Sequence, residues 1–222
     1  MEILWEDRHF IAVNKPTGIP IQPDKTQAPS VLDWVKERYA GQQHYFCDII
    51  HRIDRPVTGV TLFGKSREAI RTMSQQFQEK QVQKTYLAVV SKVPEVAEGQ
   101  LVHWIKKIEK INLAKVSDTE KPGSKRAEMH YRVLGEVGGF HLLQLNPLTG
   151  RHHQIRAQLG AIGSPICGDR KYGYPRYYEG NAICLHAFGL AFEHPFSKEK
   201  VQLNAPLPAF EPWQKLSTIV SA

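Results

Sequence analysis

A carboxylate flanked by two arginines is the first feature of the sequence that could do chemistry. Asp54 stands between Arg52 and Arg55 in residues 51–60 (HRIDRPVTGV). Guanidinium groups on both sides would hold the Asp54 carboxyl ionised, as a nucleophile or a general base must be. A surface Arg–Asp–Arg salt bridge beside a turn would produce the same local pattern. The segment therefore makes Asp54 a candidate catalytic carboxylate and leaves the salt bridge open.

The residues that follow Asp54 predict that it lies in a loop. Pro56 cannot donate a hydrogen bond to a strand ladder, and Gly59 permits tight backbone geometry. The run GVTLF at residues 59–63 predicts a short buried strand. We therefore expect Asp54 in a loop at the mouth of that strand, a place where functional side chains are common.

A second group of candidate residues lies in residues 148–156 (LTGRHHQIR). Thr149 is a good helix N-cap, and the apolar residues after it predict a helix that ends near Gly160. This start places Arg151 in the first turn, where a cation opposes the helix dipole by about 0.3–1 kcal/mol. Arg151 should therefore have an anionic partner, either Asp54 or an RNA phosphate. An exposed basic helix is the alternative interpretation.

An aromatic side chain stands in the strand predicted at residues 85–90. Tyr86 follows a lysine in the run KTYLA. A tyrosine in a strand either packs into the core with its hydroxyl hydrogen-bonded or offers a platform on which a nucleic-acid base stacks. The residue type alone leaves both interpretations open.

Metal and cofactor chemistry find little support in the residue pattern. The adjacent residues His152 and His153 would diverge on a helix, and no paired Cys-x-x-Cys spacing occurs. The sequence has neither a glycine-rich phosphate-binding loop nor a dinucleotide-binding fingerprint. We therefore expect no metal and no cofactor.

Cys47, Cys167 and Cys184 are too scattered for a disulfide framework and are predicted to be free thiols in a reducing cytosol.

Short strands and a few helices must position these candidates. A helix is predicted over residues 30–39, where Ser30 and Asp33 can form a capping box, and another over about 66–79. Strands are predicted at residues 10–13, 59–63, 85–90, 140–145, 185–192 and 201–203. Long crossovers alternate with adjacent strand pairs, so the pattern predicts an α+β fold around a mixed, mainly antiparallel sheet flanked by helices. One domain over residues 1–222 fits this pattern better than two.

One lysine-rich stretch interrupts the pattern. Residues 106–126 (KKIEKINLAKVSDTEKPGSKR) contain Pro122-Gly123-Ser124 and lack sustained apolar periodicity. The stretch is predicted to be an exposed excursion, either a solvated loop or hairpin or a binding arm.

Composition and charge narrow the class of protein further. The chain has 222 residues and a formal net charge of +7, which favours a polyanionic partner. No apolar run approaches the ~18 residues of a membrane-spanning helix, and charged residues near Met1 argue against a signal peptide. We therefore expect a cytoplasmic protein that has no membrane partner.

Several motifs, taken together and in order, resemble those of the RluA-type pseudouridine synthases, which isomerise uridine in ribosomal and transfer RNA. The run HRIDRPVTGV resembles the family's HRLD-xx-TSG motif. The other matching segments are the VNKP run at 13–16, QKTY at 83–86, LTGRHHQIR at 148–156, the GDRKYG run at 168–173, and LHA at 185–187 followed by FEHP at 192–195. This resemblance covers nearly the whole chain.

The resemblance implies a fold and a set of functional residues. The family fold is a mixed-sheet α+β catalytic domain with a cleft across the sheet, and its reaction needs no cofactor. By position, Asp54 matches the catalytic aspartate, and Tyr86 matches the tyrosine that stacks on the target base. Arg151 matches the basic residue that pairs with the aspartate. Arg52 matches an arginine that enters the RNA base stack when the target uridine leaves the stack. Further RNA contacts are expected from His51, Arg55, Lys84, His153 and Arg156.

Some expectations remain alternatives. The substrate is expected to be tRNA or 23S rRNA, and the RPxTG and QxQKxY runs resemble the TruC-like branch that acts on tRNA. Asp54 would act either as a nucleophile at C1′ or as a base at C2′. No preceding RNA-binding module of the S4 kind is expected, because residues 2–5 already form the first predicted strand. The protein is expected to be a monomer.

Two rival functions stay open, a non-catalytic RNA-binding module and a metal-dependent RNA hydrolase. The hydrolase would need clustered carboxylates, which the sequence lacks.

Overall fold

A computed structural model describes residues 1–42, 45–176, 178 and 182–220. The strands are β1 (Glu2–Glu6), β2 (Phe10–Lys15), β3 (Asp48–Ile49), β4 (Thr58–Gly64), β5 (Gln83–Val90), β6 (Glu98–Ile108), β7 (Leu113–Ser117), β8 (Lys125–Val137), β9 (Phe140–Pro147), β10 (Leu185–Glu193) and β11 (Lys200–Asn204). The α-helices are α1 (Val31–Arg38), α2 (Arg67–Gln78), α3 (Gln154–Ala161) and α4 (Trp213–Val220). Short 3-10 helices occupy Glu109–Ile111 and Arg170–Tyr172.

The chain divides into two compact units. Unit 1 consists of Met1–Lys84 and Ala187–Pro206, and unit 2 of Thr85–His186 and Leu207–Ala222.

In unit 1, β2 pairs antiparallel with β1 and with β4. The short β3 pairs with β4, and β10 lies next to β4 and pairs antiparallel with β11. Side chains from these strands and from α2 form one apolar core. Its buried members are Phe10, Ala12, Val60, Leu62, Ala69, Met73, Val82, Leu190, Phe192, Leu203 and Ala205.

Local capping signals set the starts of the two helices of unit 1. Ser30 caps α1, accepting from the Asp33 N–H, while the Asp33 carboxylate accepts from the Ser30 N–H, so the predicted capping box is confirmed. Ser66 caps α2 by accepting from the Ala69 N–H at 3.1 Å. The structure thus confirms both predicted helices to within one or two residues.

Unit 2 is built on an antiparallel ladder. β9 pairs with β5 and with β8, and β6 pairs with β8 and with β7. One face of β6, β7 and β8 packs on α3 through Ile105, Ala114, Ala127 and Ala157. The α+β class with a mixed, mainly antiparallel sheet is confirmed, since helices flank sheet strands in both units.

The lysine-rich stretch 106–126 belongs to β6, β7 and β8, in line with the hairpin alternative of its prediction, and Lys106 lies opposite Lys115. One sequence-based prediction in unit 2 needs correction. The helix predicted from Thr149 begins only at Gln154, and Arg151 precedes it in a turn. The rings of His152 and His153 consequently stack 3.8 Å apart rather than diverging on a helix.

Candidate active site

Asp54 lies in a tight turn directly before β4, as predicted. Its backbone carbonyl accepts a hydrogen bond from the Val57 N–H at 3.0 Å, which closes the turn. Asp54 is half-buried, between the buried Ile53 and the exposed Arg55. The turn thus presents a carboxylate on a rigid support.

A second segment, residues 15–18, holds this turn in place. The Lys15 ammonium donates to the Arg55 carbonyl at 2.9 Å, and the Gly18 N–H donates to the same oxygen at 3.0 Å. The Thr17 hydroxyl donates to the Pro56 carbonyl at 3.0 Å, and the Arg55 Nε donates to the Gly18 carbonyl at 2.7 Å. Four hydrogen bonds between segments about 40 residues apart therefore fix the backbone on which Asp54 stands.

Lys15 is a buried residue of unit 1 whose amine interacts electrostatically with the Asp54 carboxylate. The residue is 0% exposed, and its amine also donates to the Pro16 carbonyl at 2.8 Å. Burial, with a smaller contribution from the Arg55 charge, lowers the pKa of Lys15 to about 7. The Asp54 carboxylate acts in the opposite direction and raises this pKa. Sequence reasoning missed this residue, although a lysine at the end of an apolar strand and before a proline was a visible signal.

The guanidinium of Arg55 contacts another loop of unit 1. Arg55 directs its guanidinium toward Asp24, with Nη1 3.6 Å from Oδ2, and toward the Thr26 hydroxyl at 3.3 Å. Arg52 is exposed. The structure therefore places the charge of Arg55 on the loop at residues 24–26.

Gly59 sets how closely β4 approaches β10. Its φ is +111°, and a Cβ at this position would lie 2.2 Å from the Ala187 carbonyl oxygen. Only glycine adopts this conformation without a clash, so the backbone that follows the Asp54 turn runs directly against β10.

The side chain of His51 packs and hydrogen-bonds within unit 1. Its Nε2 accepts a hydrogen bond from the Leu62 N–H at 3.1 Å, and its ring stacks on Phe77 with centroids 4.9 Å apart. Burial, with a smaller contribution from the nearby Lys84 charge, lowers the pKa of His51 to about 4. A neutral imidazole in these contacts favours a structural role for His51 over the predicted RNA contact.

Tyr86 lies in β5, as predicted, opposite Leu145 of β9. Its side chain is half-buried, while Leu87 to Val90 of the same strand are buried. Lys84, two residues earlier, is half-buried too, and burial lowers its pKa, with a further lowering from Lys80. The aromatic ring therefore stands where β5 leaves the core of unit 2.

A hydrogen-bond network replaces the helix cap that Thr149 was expected to provide. The Thr149 hydroxyl accepts from the Glu128 N–H at 2.8 Å and donates to the Gln154 Oε1 at 2.7 Å. The same Gln154 oxygen accepts from the Arg151 N–H at 3.0 Å, and the Gln154 Nε2 donates to the Glu128 carbonyl at 3.0 Å. These bonds hold the Arg151 turn against β8, and the cap prediction is wrong because the hydroxyl is used by a strand distant in sequence.

Arg151 is exposed and is oriented by one backbone contact, from its Nε to the Arg126 carbonyl at 2.9 Å. Arg156, in contrast, is only 6% exposed. Its Nε and Nη2 donate to the Asp169 carboxylate at 2.6 and 2.9 Å, and its guanidinium lies 5.2 Å from the Tyr172 ring centroid. The buried bidentate pair favours a structural role for Arg156 over the predicted RNA contact.

His153 is buried beside the same aromatic ring. Its Nδ1 lies 2.8 Å from the Tyr172 hydroxyl, which also accepts from the Ala114 N–H at 2.8 Å. His153 has a φ of +51° and precedes α3 directly. These contacts link α3, β7 and the 3-10 helix of unit 2, so His153 also has a structural use there.

Within the described ranges, no group of three or more His, Cys, Asp or Glu side chains is arranged to hold a metal ion. Over the same part of the chain, no helix is long and apolar enough to cross a membrane. Cys47, Cys167 and Cys184 are free and buried, and burial raises the pKa of each thiol.

Comparison with known proteins identifies relatives of this chain. The model of a family described as RNA pseudouridylate synthase matches residues 9–161. The chain is 33% identical to the dual-specificity RNA pseudouridine synthase RluA of Pasteurella multocida, covering 95% of this chain and 94% of the relative. It is 34% identical to the tRNA pseudouridine synthase C of Yersinia pestis, covering 97% and 89%.

Some relatives are longer. The chain is 32% identical to the ribosomal large subunit pseudouridine synthase C of Vibrio cholerae over 93% of its own length, but it spans only 66% of that relative. It spans 61% of the tRNA pseudouridine synthase C of Pectobacterium carotovorum.

Solved structures support the fold. The protein described as human RNA Pseudouridylate Synthase Domain Containing 4 matches with a TM-score of 0.80 at 24% identity, covering 99% of this chain and 93% of that one. The human Domain Containing 1 protein matches with a TM-score of 0.75 at 22% identity, covering 100% and 95%. Together with the family match and the identities above, these comparisons show that the chain belongs to the RluA-type RNA pseudouridine synthase family.

Proposed function

We propose that this protein is an RNA pseudouridine synthase, an enzyme that isomerises specific uridines in structured RNA. The observation that carries the proposal is the Asp54 turn. At the position where the family motif has its catalytic aspartate, unit 1 holds a half-buried carboxylate on a backbone fixed by residues 15–18. Relatives that are 32% and 34% identical are named as pseudouridine synthases of large-subunit rRNA and of tRNA, respectively.

The proposed reaction is an internal rearrangement that balances without a co-reactant. The N1–C1′ bond of the uridine breaks, the base turns, and a C5–C1′ bond forms. C5 then loses its proton and N1 gains one, so no electron acceptor or external group is consumed. Asp54 acts at the ribose, either as a nucleophile at C1′ or as the base that removes the C2′ proton.

Asp54 must be ionised for either route. The buried amine of Lys15 interacts with this carboxylate, which favours the charged form of Lys15. The family motif gives Arg151 the role of pairing with the catalytic aspartate, and we propose the same role here. The guanidinium of Arg151 is exposed and its Nε is held by the Arg126 carbonyl, which supports this assignment.

The target uridine must leave its stack before it can react, at a cost of a few kcal/mol. Arg52 is exposed next to the Asp54 turn, and its planar guanidinium suits it to fill the vacated space. Tyr86 offers a half-buried ring on which the flipped base would stack. Of the further RNA contacts predicted from the sequence, Arg55 and Lys84 are retained in the proposal.

The proposal also covers the substrate RNA, the oligomeric state and the cellular location. Its RNA is tRNA or 23S rRNA, and we propose that the enzyme acts as a monomer in the cytoplasm. Mapping pseudouridines in both RNA classes from a deletion strain and its parent would identify the substrate position. Light scattering of the purified protein and fractionation of cells would test the other two statements.

A direct assay distinguishes this function from the rivals. The purified protein is incubated with RNA that carries tritium at C5 of uridine, because rearrangement releases that tritium to water. We expect release without added Mg²⁺ and in the presence of a chelator, with the RNA chain intact. Binding without release would indicate a non-catalytic RNA-binding module, and chain cleavage that depends on Mg²⁺ would indicate a hydrolase; either result contradicts the proposal.

A further inference from the structure

The exposed side of the hairpin in unit 2 carries basic side chains around a tryptophan. We name it the basic face and define it by Trp104 and Lys106 of β6, Lys115 of β7 and Arg126 of β8. Lys106, Lys115 and Arg126 are exposed, and Trp104 is half-buried.

The register places these four side chains on the same face. Lys106 lies opposite Lys115, and Trp104 lies opposite Arg126. The alternate residues point the other way: Ile105, Ala114 and Ala127 are buried in the apolar cluster with α3. The basic face is therefore the outer side of this part of the sheet.

The charges of the basic face oppose the stability of the hairpin. Like charges directly opposite each other on neighbouring strands are destabilising, and Lys106 and Lys115 form such a pair. Residues 106–126 as a whole contain seven Lys and Arg against three Asp and Glu. Local contacts offset part of this charge, since Lys106 donates to the Pro122 carbonyl and Arg126 pairs with Glu128 at 3.0 Å. An anion bound to this face would relieve the remaining repulsion.

The basic face continues into the turn that carries Arg151. The Arg151 Nε donates to the Arg126 carbonyl at 2.9 Å, and the Leu148 N–H donates to the Glu128 carbonyl at 2.9 Å. The turn at residues 148–151 thus follows the edge of β8 beside Arg126. Arg126 is therefore next to Arg151 on one side and to Trp104 on the other.

We propose that the basic face binds the phosphate backbone of the substrate RNA outside the target uridine, with Trp104 stacking on an unpaired base. This inference rests on the proposed function, because it takes Arg151 as part of the site for the uridine. Lysine and arginine neutralise phosphates without reading sequence, and an aromatic ring accepts any base. The basic face therefore selects flanking RNA by the shape and the unpaired bases of that RNA, not by its sequence.

The charge pair is tested by the double variant Lys106→Gln/Lys115→Gln. Labelled total tRNA and labelled 23S rRNA serve as probes in filter-binding titrations over about 50–200 mM salt. We expect affinity for the bound RNA to fall about tenfold and the slope of log affinity against log salt to decrease by about 1–2, because up to two phosphate contacts are lost. In tritium-release assays the loss should raise KM more than it lowers kcat.

A matched control carries the same change in charge elsewhere. Lys92 and Lys200 are exposed and lie outside the basic face, so Lys92→Gln/Lys200→Gln should bind RNA as the wild type does. Equal behaviour of the two double variants would overturn the inference. If the wild type releases no tritium, the proposed function fails instead, and the binding comparison still decides whether the basic face holds RNA.

Trp104 provides a second, independent measurement. Trp104→Phe keeps an aromatic surface, and we expect it to bind RNA within about threefold of the wild type. Trp104→Leu should lose about tenfold in affinity for RNA with unpaired bases and little for fully paired RNA. Thermal unfolding of both variants identifies any loss that comes from misfolding. Equal affinities of the two folded variants for unpaired RNA would contradict the stacking role.

Discussion

The Lys15 ammonium lies 2.9 Å from the Arg55 carbonyl oxygen and donates a hydrogen bond to it. A fully buried amine at the end of β2 is thereby bound to the turn that carries Asp54. The geometry of the carboxylate consequently depends on a residue 39 positions earlier in the chain, and the charge state of that residue is set by burial.

The first prediction concerns stability and pH. The pKa of Lys15 is about 7 in the folded protein and near its ordinary value of about 10.4 in the unfolded chain. Between these values the unfolded chain binds more protons, so Lys15 makes the unfolding free energy rise with pH from about 7 to 10 and adds no slope below 7. Lys15→Met should lack this rise, which is on the order of 1–2 kcal/mol between about pH 7 and 9.

Urea unfolding of both proteins at several pH values tests this prediction. The difference between the two curves isolates Lys15, because other groups, such as the buried thiols, titrate in both proteins. Parallel curves for the wild type and the variant would show that Lys15 keeps its ordinary pKa when folded.

The second prediction separates two arginines that the sequence treats alike. Arg156→Met leaves the buried Asp169 carboxylate without its bidentate partner, and we expect it to destabilise the fold by about 3–5 kcal/mol. Arg151→Met removes an exposed side chain and should change stability by less than about 0.5 kcal/mol. Tritium release should nevertheless fall about 100-fold or more in the folded Arg151 variant, because the proposed cationic partner of Asp54 is lost.

Chemical unfolding and tritium release, measured on the same preparations, provide the comparison. The assignment is contradicted if Arg151→Met retains wild-type release, or if Arg156→Met is as stable as the wild type.

The third prediction concerns the ring of Tyr86. Tyr86→Phe should keep the stacking surface and most RNA-dependent activity. Tyr86→Ala should lose about 1–3 kcal/mol of stacking, and a larger KM for labelled RNA would report that loss. If the two variants behaved alike, stacking would not be the main contribution of this side chain.

Parts of the fold could be predicted from the sequence because their signals are local. Ser30 with Asp33, and Ser66 before an amphipathic run, indicate helix starts within a few residues. The Asp54 loop was predictable for the same reason, since Pro56 and Gly59 both lie near it.

The remaining features depend on contacts between distant residues. Thr149 looks like a helix cap, but its hydroxyl bonds to Glu128, which is 21 residues away. The helix α3 begins at Gln154 and not directly after Thr149. Lys15 looks like a surface lysine at a strand end, but the fold buries it and its amine bonds to the distant Arg55 carbonyl. Nothing close to Arg156 in the sequence indicates that Asp169, 13 residues later, is its bidentate partner.

The measurement that tests the central claim most directly is tritium release by Asp54→Asn on C5-labelled RNA. The amide keeps the size and most contacts of the carboxylate but can act neither as the nucleophile nor as the base. We predict no detectable pseudouridine, with RNA affinity in filter binding within about threefold of the wild type. Release by the variant at a rate near that of the wild type would contradict the account.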